Sequence, residues 1–311
     1  MTDLNTNPIG EIEAVAVTED PRNQWWDVWH QFKTHKGAVV GLVFFALVIL
    51  LVLVGPHLWS IAPNHIDIRA KNEGPSFGHP MGTDQLGRDT FAQMLAGGRV
   101  SMAVGVVAMA LSLFLGTLVG VLAGYFQRLD GLLMRMTDLF LALPLLPLLL
   151  VIIMLFRDTL RAAFGPETGI FILIVFVIGI TSWMQTARIV RGDVLALKQQ
   201  EFVLAARSIG TPPHRMILRH LLPNVMSPIM VSATLGIANA IITESALSFL
   251  GLGFPSDFPT WGRLLFDSTN FMSLHPARVI WPGLAISLTV LSVNYMGDGL
   301  RDALDPRIRG R

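Results

Sequence analysis

Cysteine is absent from all 311 residues of the chain. That excludes a disulfide framework, a thiolate zinc site, a Cys-ligated iron–sulfur cluster and a cysteine nucleophile. Charge is scarce as well: Asp, Glu, Lys and Arg make up 14% of the residues, where a soluble domain carries roughly 25%. So little charge cannot cover a soluble surface. The charges also balance, 23 Lys and Arg against 22 Asp and Glu, so no strong field attracts nucleic acid or an acidic partner. Two chemical signatures are missing. Without a Gly-x-x-x-x-Gly-Lys-Ser/Thr loop the chain is not expected to bind ATP by a P-loop. Without His-Glu-x-x-His, and with eight histidines that show no ligand-like pairing, no metal site is expected either.

What is present is apolar. Hydrophobic residues reach 52%, accompanied by 28 glycines and 18 prolines, a combination that suits helices packing closely and bending within lipid. Six runs are long enough to cross a hydrocarbon core of about 20 helical residues. They lie near 37–59, 100–125, 132–156, 170–187, 226–250 and 279–297. Their continuity argues against the alternating pattern of a transmembrane barrel. The expected fold is therefore all-α, a polytopic membrane protein of about six spans.

Residues 1–24 mix Asn, Thr, Glu, Asp and Pro and read as a polar tail, not a cleaved signal peptide. Trp25, Trp26, Trp29 and Phe32 then recur at helical spacing before Lys33 and Lys36. That spacing fits a helix lying at the membrane interface or one docked on the protein's own core. Most Lys and Arg fall in connections on the N-terminal side of the membrane, among them Arg188, Arg191, Lys198, Arg207, Arg215 and Arg219. The bias places both termini in the cytoplasm. The expected organisation is a cytoplasmic tail with interfacial helix over 1–36, a transmembrane domain over 37–298 that includes a cytoplasmic loop over 188–224, and a C-terminal cytoplasmic tail over 299–311.

Gly116, Gly120 and Gly124 give the second run a bare face for another helix. Pro144 and Pro147 remove backbone donors in the third run and predict a kink. Ionisable groups inside apolar runs are costly and face protein or water. Asp138 can pair with Arg135 one turn back, leaving a structural and a functional role both open. Glu244 has no basic neighbour within a turn; it either lines a translocation path or makes a satisfied interhelical hydrogen bond.

Residues 188–224 are too polar for a span and too patterned for a linker. A helix is expected over 193–208, ended by Gly210, with Thr211 as N-cap and Pro212 in the first turn of a second short helix that Pro223 halts. A helix, a tight turn and a helix could make a docking knob. In the extracytoplasmic loop, 56–99, Gly82 and Gly87 permit turns, and Asp84 or Asp89 could cap a short helix.

The sequence EFVLAARSIG at 201–210, with Ile217 and LLPN at 221–224, resembles the EAA motif of inner-membrane permeases of ABC importers. HPMGTDQLGRD at 79–89, MRMTD at 134–138, ESALSFLGLG at 244–253 and GDGLRDALDP at 297–306 are similar to the dipeptide, oligopeptide and nickel permease family, and most to its C-type subunits. The resemblance runs from about residue 25 to the end. It implies a type I ABC importer permease in the bacterial inner membrane, working by alternating access beside a second, homologous permease. Two cytoplasmic ATPases would bind ATP and Mg, and an extracytoplasmic solute-binding protein would deliver dipeptides or oligopeptides; this chain would hold no cofactor. Glu201, Ala205, Ala206, Gly210, Ile217, Leu222, Pro223 and Asn224 would couple it to the ATPase. Asp84 and Arg88 either fold their loop or meet the binding protein. Phe202 stands where Tyr is common, and Thr211, Pro212 and Pro213 occupy a variable part of the motif. An ion-coupled secondary transporter using Glu244 and Asp138, and a membrane scaffold, are the competing classes.

Overall fold

A computed structural model describes residues 24–304. The expected polar tail up to residue 23 and the end of the C-terminal tail from 305 lie outside them. The described residues are mainly helical, and their only strand-like pairing is an isolated bridge between Thr83 and Asp89.

Five helices are long and apolar enough to cross a membrane: α2 (Lys36–Leu58), α3 (Thr90–Tyr125), α6 (Pro166–Leu197), α9 (Met226–Phe249) and α11 (Ala277–Leu304). The sixth span is not one kinked helix. α4 (Gln127–Ala142) and α5 (Leu145–Phe164) meet at 88°, with Pro144 as the N-cap of α5. A proline disfavours helical backbone in the residue before it and cannot donate to the preceding turn, so the expected kink becomes a break.

α3 begins ten residues earlier than its apolar run. Its 36 residues extend roughly 54 Å at the α-helical rise, well beyond a hydrocarbon core of about 30 Å. Gln93, Gly97 and Gly98 make its first turns look unlike a span, yet all three are buried. They lie under α10 (Trp261–Ser268), whose Trp261 donates its indole N–H to the Met94 carbonyl at 3.0 Å. Asp89 caps this long helix, not a short one, by accepting from Ala92 N at 2.9 Å.

The core joins α3, α5, α6 and α9 through residues such as Val104, Leu149, Ile174 and Leu247. The glycine stripe of α3 lies against α6. A Cβ on Gly116 would stand 2.7 Å from the Trp183 carbonyl oxygen, and one on Gly124 2.7 Å from the Val194 side chain. α2 is peripheral, with Val40, Leu47 and Leu50 exposed to what the membrane reading makes lipid. α1 (Gln24–Thr34) docks on the protein's own core through one face and leaves part of its aromatic run uncovered. Val28 and Phe32 are buried with Ala38 and Ala303, while Trp26 and Trp29 are exposed.

Candidate functional site: the connection between α6 and α9

The connection 198–225 is the best-defined feature outside the spans. The expected helix over 193–208 is interrupted. α6 runs through Asp193 and ends at Leu197, and a separate α7 (Glu201–Ser208) follows. Lys198 marks the break: its ammonium donates to the carbonyls of Gly124 and Tyr125 at 3.1 and 3.0 Å and lies over the Tyr125 ring. A cation on the last carbonyls of a helix offsets their partial negative charge. Lys198 thus joins the start of the connection to the end of α3.

α7 ends in a Schellman motif. Thr211 N donates to Ala206 O at 3.1 Å and Gly210 N to Arg207 O at 3.0 Å. This pairing satisfies the final carbonyls and requires a left-handed residue; Gly210 has φ +80°. The next helix starts one residue later than expected, with Pro212 as N-cap and Pro213 in the first turn of α8 (Pro213–Arg215). It continues as a π-helix over Met216–Leu221, where Leu222 N donates to Ile217 O at 2.8 Å. Asn224 closes the hairpin by donating from Nδ2 to His220 O at 2.7 Å.

Packing assigns different tasks to the paired alanines. Ala206 and Val203 are buried with Val121, Val190, Met216 and Leu221, so they hold α7 onto the ends of α3 and α6. Ala205 and Glu201 are exposed. Ile217 and Leu222 are half-buried against the same cluster, and Pro223 is exposed. Four apolar residues outside the set assigned to coupling also face outward: Phe202, Leu204, Leu218 and Ile209, the last 84% exposed. Exposed apolar side chains on a polar connection are available to another protein or to the membrane surface. The apolar positions of α7 were legible, but which of them face inward was not, because their partners lie on α3 and α6.

α4 is tied to the same end of α6. Arg191 makes a two-point contact with Asp130, at 2.5 and 2.7 Å, and Arg188 pairs with Asp138. Asp138 therefore does not take Arg135; its partner lies fifty positions away, beyond reach of local spacing rules. The Arg191–Asp130 pair was missed altogether for the same reason.

The other candidates are interior. Glu244 is fully buried and accepts from Ser101 Oγ at 2.9 Å and Ser248 Oγ at 2.7 Å. This geometry fits the interhelical hydrogen bond between α9 and α3. Glu244→Gln should keep both contacts and leave detergent melting close to wild type. Glu244→Leu should destabilise by roughly 1–3 kcal/mol, the cost of stranding buried polar partners. Equal melting temperatures for the two variants would contradict this role.

Asp84 and Arg88 are buried at 8% and 5% exposure. Asp84 pairs with Arg88 at 2.6 Å and accepts from the backbone N–H groups of Leu86 and Arg88 at 2.8 Å. Arg88 reaches on to the Ser256 carbonyl at 3.1 Å. These contacts fit the role of folding the extracytoplasmic loop. Asp89 adds a bond from the Trp59 indole at 2.7 Å.

The family described as the binding-protein-dependent transport system inner membrane component matches residues 113–310. The N-terminal transmembrane domain of oligopeptide transport permease C matches 23–75. The chain is 37% identical to the dipeptide transport system permease protein DppC of Alkalihalophilus pseudofirmus, covering 99% of this chain and 97% of the relative. It is 36% identical to the oligopeptide transport system permease protein OppC of Bacillus subtilis, covering 96% and 94%. It is 40% identical to the glutathione transport system permease protein GsiD of Escherichia coli, covering 99% and 96%. Its spans, its folded connection and these matches over most of its length agree: the chain belongs to the family of binding-protein-dependent transport system inner membrane components.

Proposed function

We propose that this chain is a permease subunit of an ABC importer that carries dipeptides or oligopeptides across the bacterial inner membrane. It performs no catalysis itself. A second, homologous permease of the DppB type completes the passage. Two cytoplasmic ATPases of the DppD and DppF type bind ATP and Mg, and an extracytoplasmic solute-binding protein supplies the peptide. Both termini and the 188–224 segment face the cytoplasm, in keeping with the basic residues concentrated there.

The observation that carries this reading is the hairpin of α7, the Gly210 turn and the π-helix. It is fixed to α3 and α6 by Val203, Ala206 and Lys198, and presents Glu201, Phe202, Leu204 and Ile209 outward. A knob of this kind transmits movement because it is stiff toward the spans and open toward a partner. ATP binding shifts the permease pair between inward- and outward-facing states only if the ATPase grips the knob differently in the two. Support for the substrate class comes from the names of these relatives, all peptide or glutathione permeases. The ion-coupled alternative is weaker, because Asp138 is taken by Arg188 and Glu244 by two hydroxyls.

Purification in mild detergent tests the assignment. Recovery of stoichiometric ATPases and a second permease, with peptide uptake dependent on ATP in proteoliposomes, is the expected result. A chain that transports alone would overturn it.

A further inference from the structure

The geometry points to a binding site for the peptide in transit, built on the carboxamides of Gln185 and Asn239, which engage the uncharged amide groups of the peptide backbone. This rests on the peptide-import reading and deepens it. A cavity of about 380 Å³ opens between α6, α9 and the break that separates α4 from α5. Its size falls in the range of small-molecule pockets, roughly 300–1,000 Å³. Phe140, Leu143 and Leu148 form the wall at the break, and Met109 of α3 the floor.

Gln185 and Asn239 lie near the middle of two spanning helices and are exposed. In lipid an amide with no partner costs several kcal/mol, so this face looks onto water or protein. Neither carboxamide has a hydrogen-bond partner among the described residues. The hydroxyls of Thr181 and Thr243 are already given to the carbonyls of Val177 and Asn239. Free donors and acceptors remain on the two carboxamides, and the hydroxyls of Ser182, Thr186 and Ser232 line the same cavity. A carboxamide offers one acceptor and two donors, the complement of a peptide bond.

No Asp, Glu, Lys, Arg or His lines the cavity. A fixed charge would hold peptides of opposite charge and reject others; neutral amides grip the backbone common to all peptides and release it. Weak binding of this kind suits passage, which requires a solute to leave as readily as it arrives.

The test uses the full complex in proteoliposomes with labelled Ala-Ala, Ala-Lys and Ala-Glu as probes. The Gln185→Leu/Asn239→Leu double variant should keep its partners and its ATPase stimulation by the binding protein. Its uptake per ATP hydrolysed should fall roughly tenfold for all three probes, as for the loss of two hydrogen bonds. Asn239→Asp should lower Ala-Glu uptake relative to Ala-Lys. Unchanged uptake per ATP in the double variant overturns the site. So does loss of the second permease on purification, which would make the cavity the seat of a partner helix. A wild-type complex that imports none of the three probes overturns the peptide reading and the site with it, an outcome visible before any variant is made.

Discussion

Gly210→Pro and Glu201→Arg should each leave the chain in the membrane yet abolish solute-stimulated ATP hydrolysis and transport. Gly210 sits at φ +80° and donates its N–H to Arg207 O. Proline fixes φ near −65° and has no N–H, so it loses both the turn and one of the two Schellman bonds. α7 would keep its own helix but point elsewhere, because Gly210 sets the path from α7 to α8. A Cβ at this position meets nothing within 4 Å, so the defect is conformational, not a clash that would unfold the spans.

Glu201→Arg separates folding from coupling more cleanly. Glu201 is exposed in the first turn of α7 and forms no ion pair among the described residues. Reversing its charge costs the fold only the helix-dipole contribution, roughly 0.3–1 kcal/mol. A partner built to meet a carboxylate there would lose several kcal/mol, so coupling should fall by about thirtyfold or more. Membrane levels and co-purification report folding and assembly, and peptide-stimulated hydrolysis reports coupling. Wild-type coupling in both variants would remove the connection from the mechanism.

The division between what sequence reveals and what it conceals follows the range of the interaction. α2, α6, α9 and α11 were legible because an apolar run of about 20 residues has few soluble explanations. Gly210 and the α3 glycines were legible because each answers a local demand on the backbone. Pro144 announced a bend, but its 88° depends on how α5 packs in the core beside α6. The first ten residues of α3 were hidden because what buries them includes α10, whose Trp261 lies 167 positions beyond Met94, and not lipid. The same holds for the site. The EAA-like segment identified the connection, whereas Lys198, Val203 and the outward face of Ile209 emerge only when α3 and α6 are set beside it. Asp138 shows the limit clearly: the nearest arginine in sequence is not its partner.

A large structural effect is expected at Gly120, where helix propensity and packing predict opposite signs. Alanine is favoured over glycine within a helix by about 1 kcal/mol, so propensity alone would make Gly120→Ala stabilising. A Cβ there would stand 2.6 Å from the Ala187 carbonyl oxygen and 2.8 Å from the Val190 Cβ. The first is backbone and the second a stiff branched side chain, so neither can swing aside. Within lipid no hydrophobic gain pulls helices together, and close van der Waals contact supplies the association. Forcing α3 and α6 apart would also strain the Lys198 contact with Gly124 and loosen the connection. Gly120→Ala should therefore lower the melting temperature, and Gly120→Leu should cost roughly 3 kcal/mol or more and deplete the chain from the membrane. Gly131 of α4 provides the contrast, since a Cβ there meets nothing within 4 Å; Gly131→Ala should leave melting unchanged or raise it. Melting in detergent checks the pair, and a Gly120→Ala protein as stable as Gly131→Ala would mean that the α3–α6 contact is not close enough to exclude a methyl group.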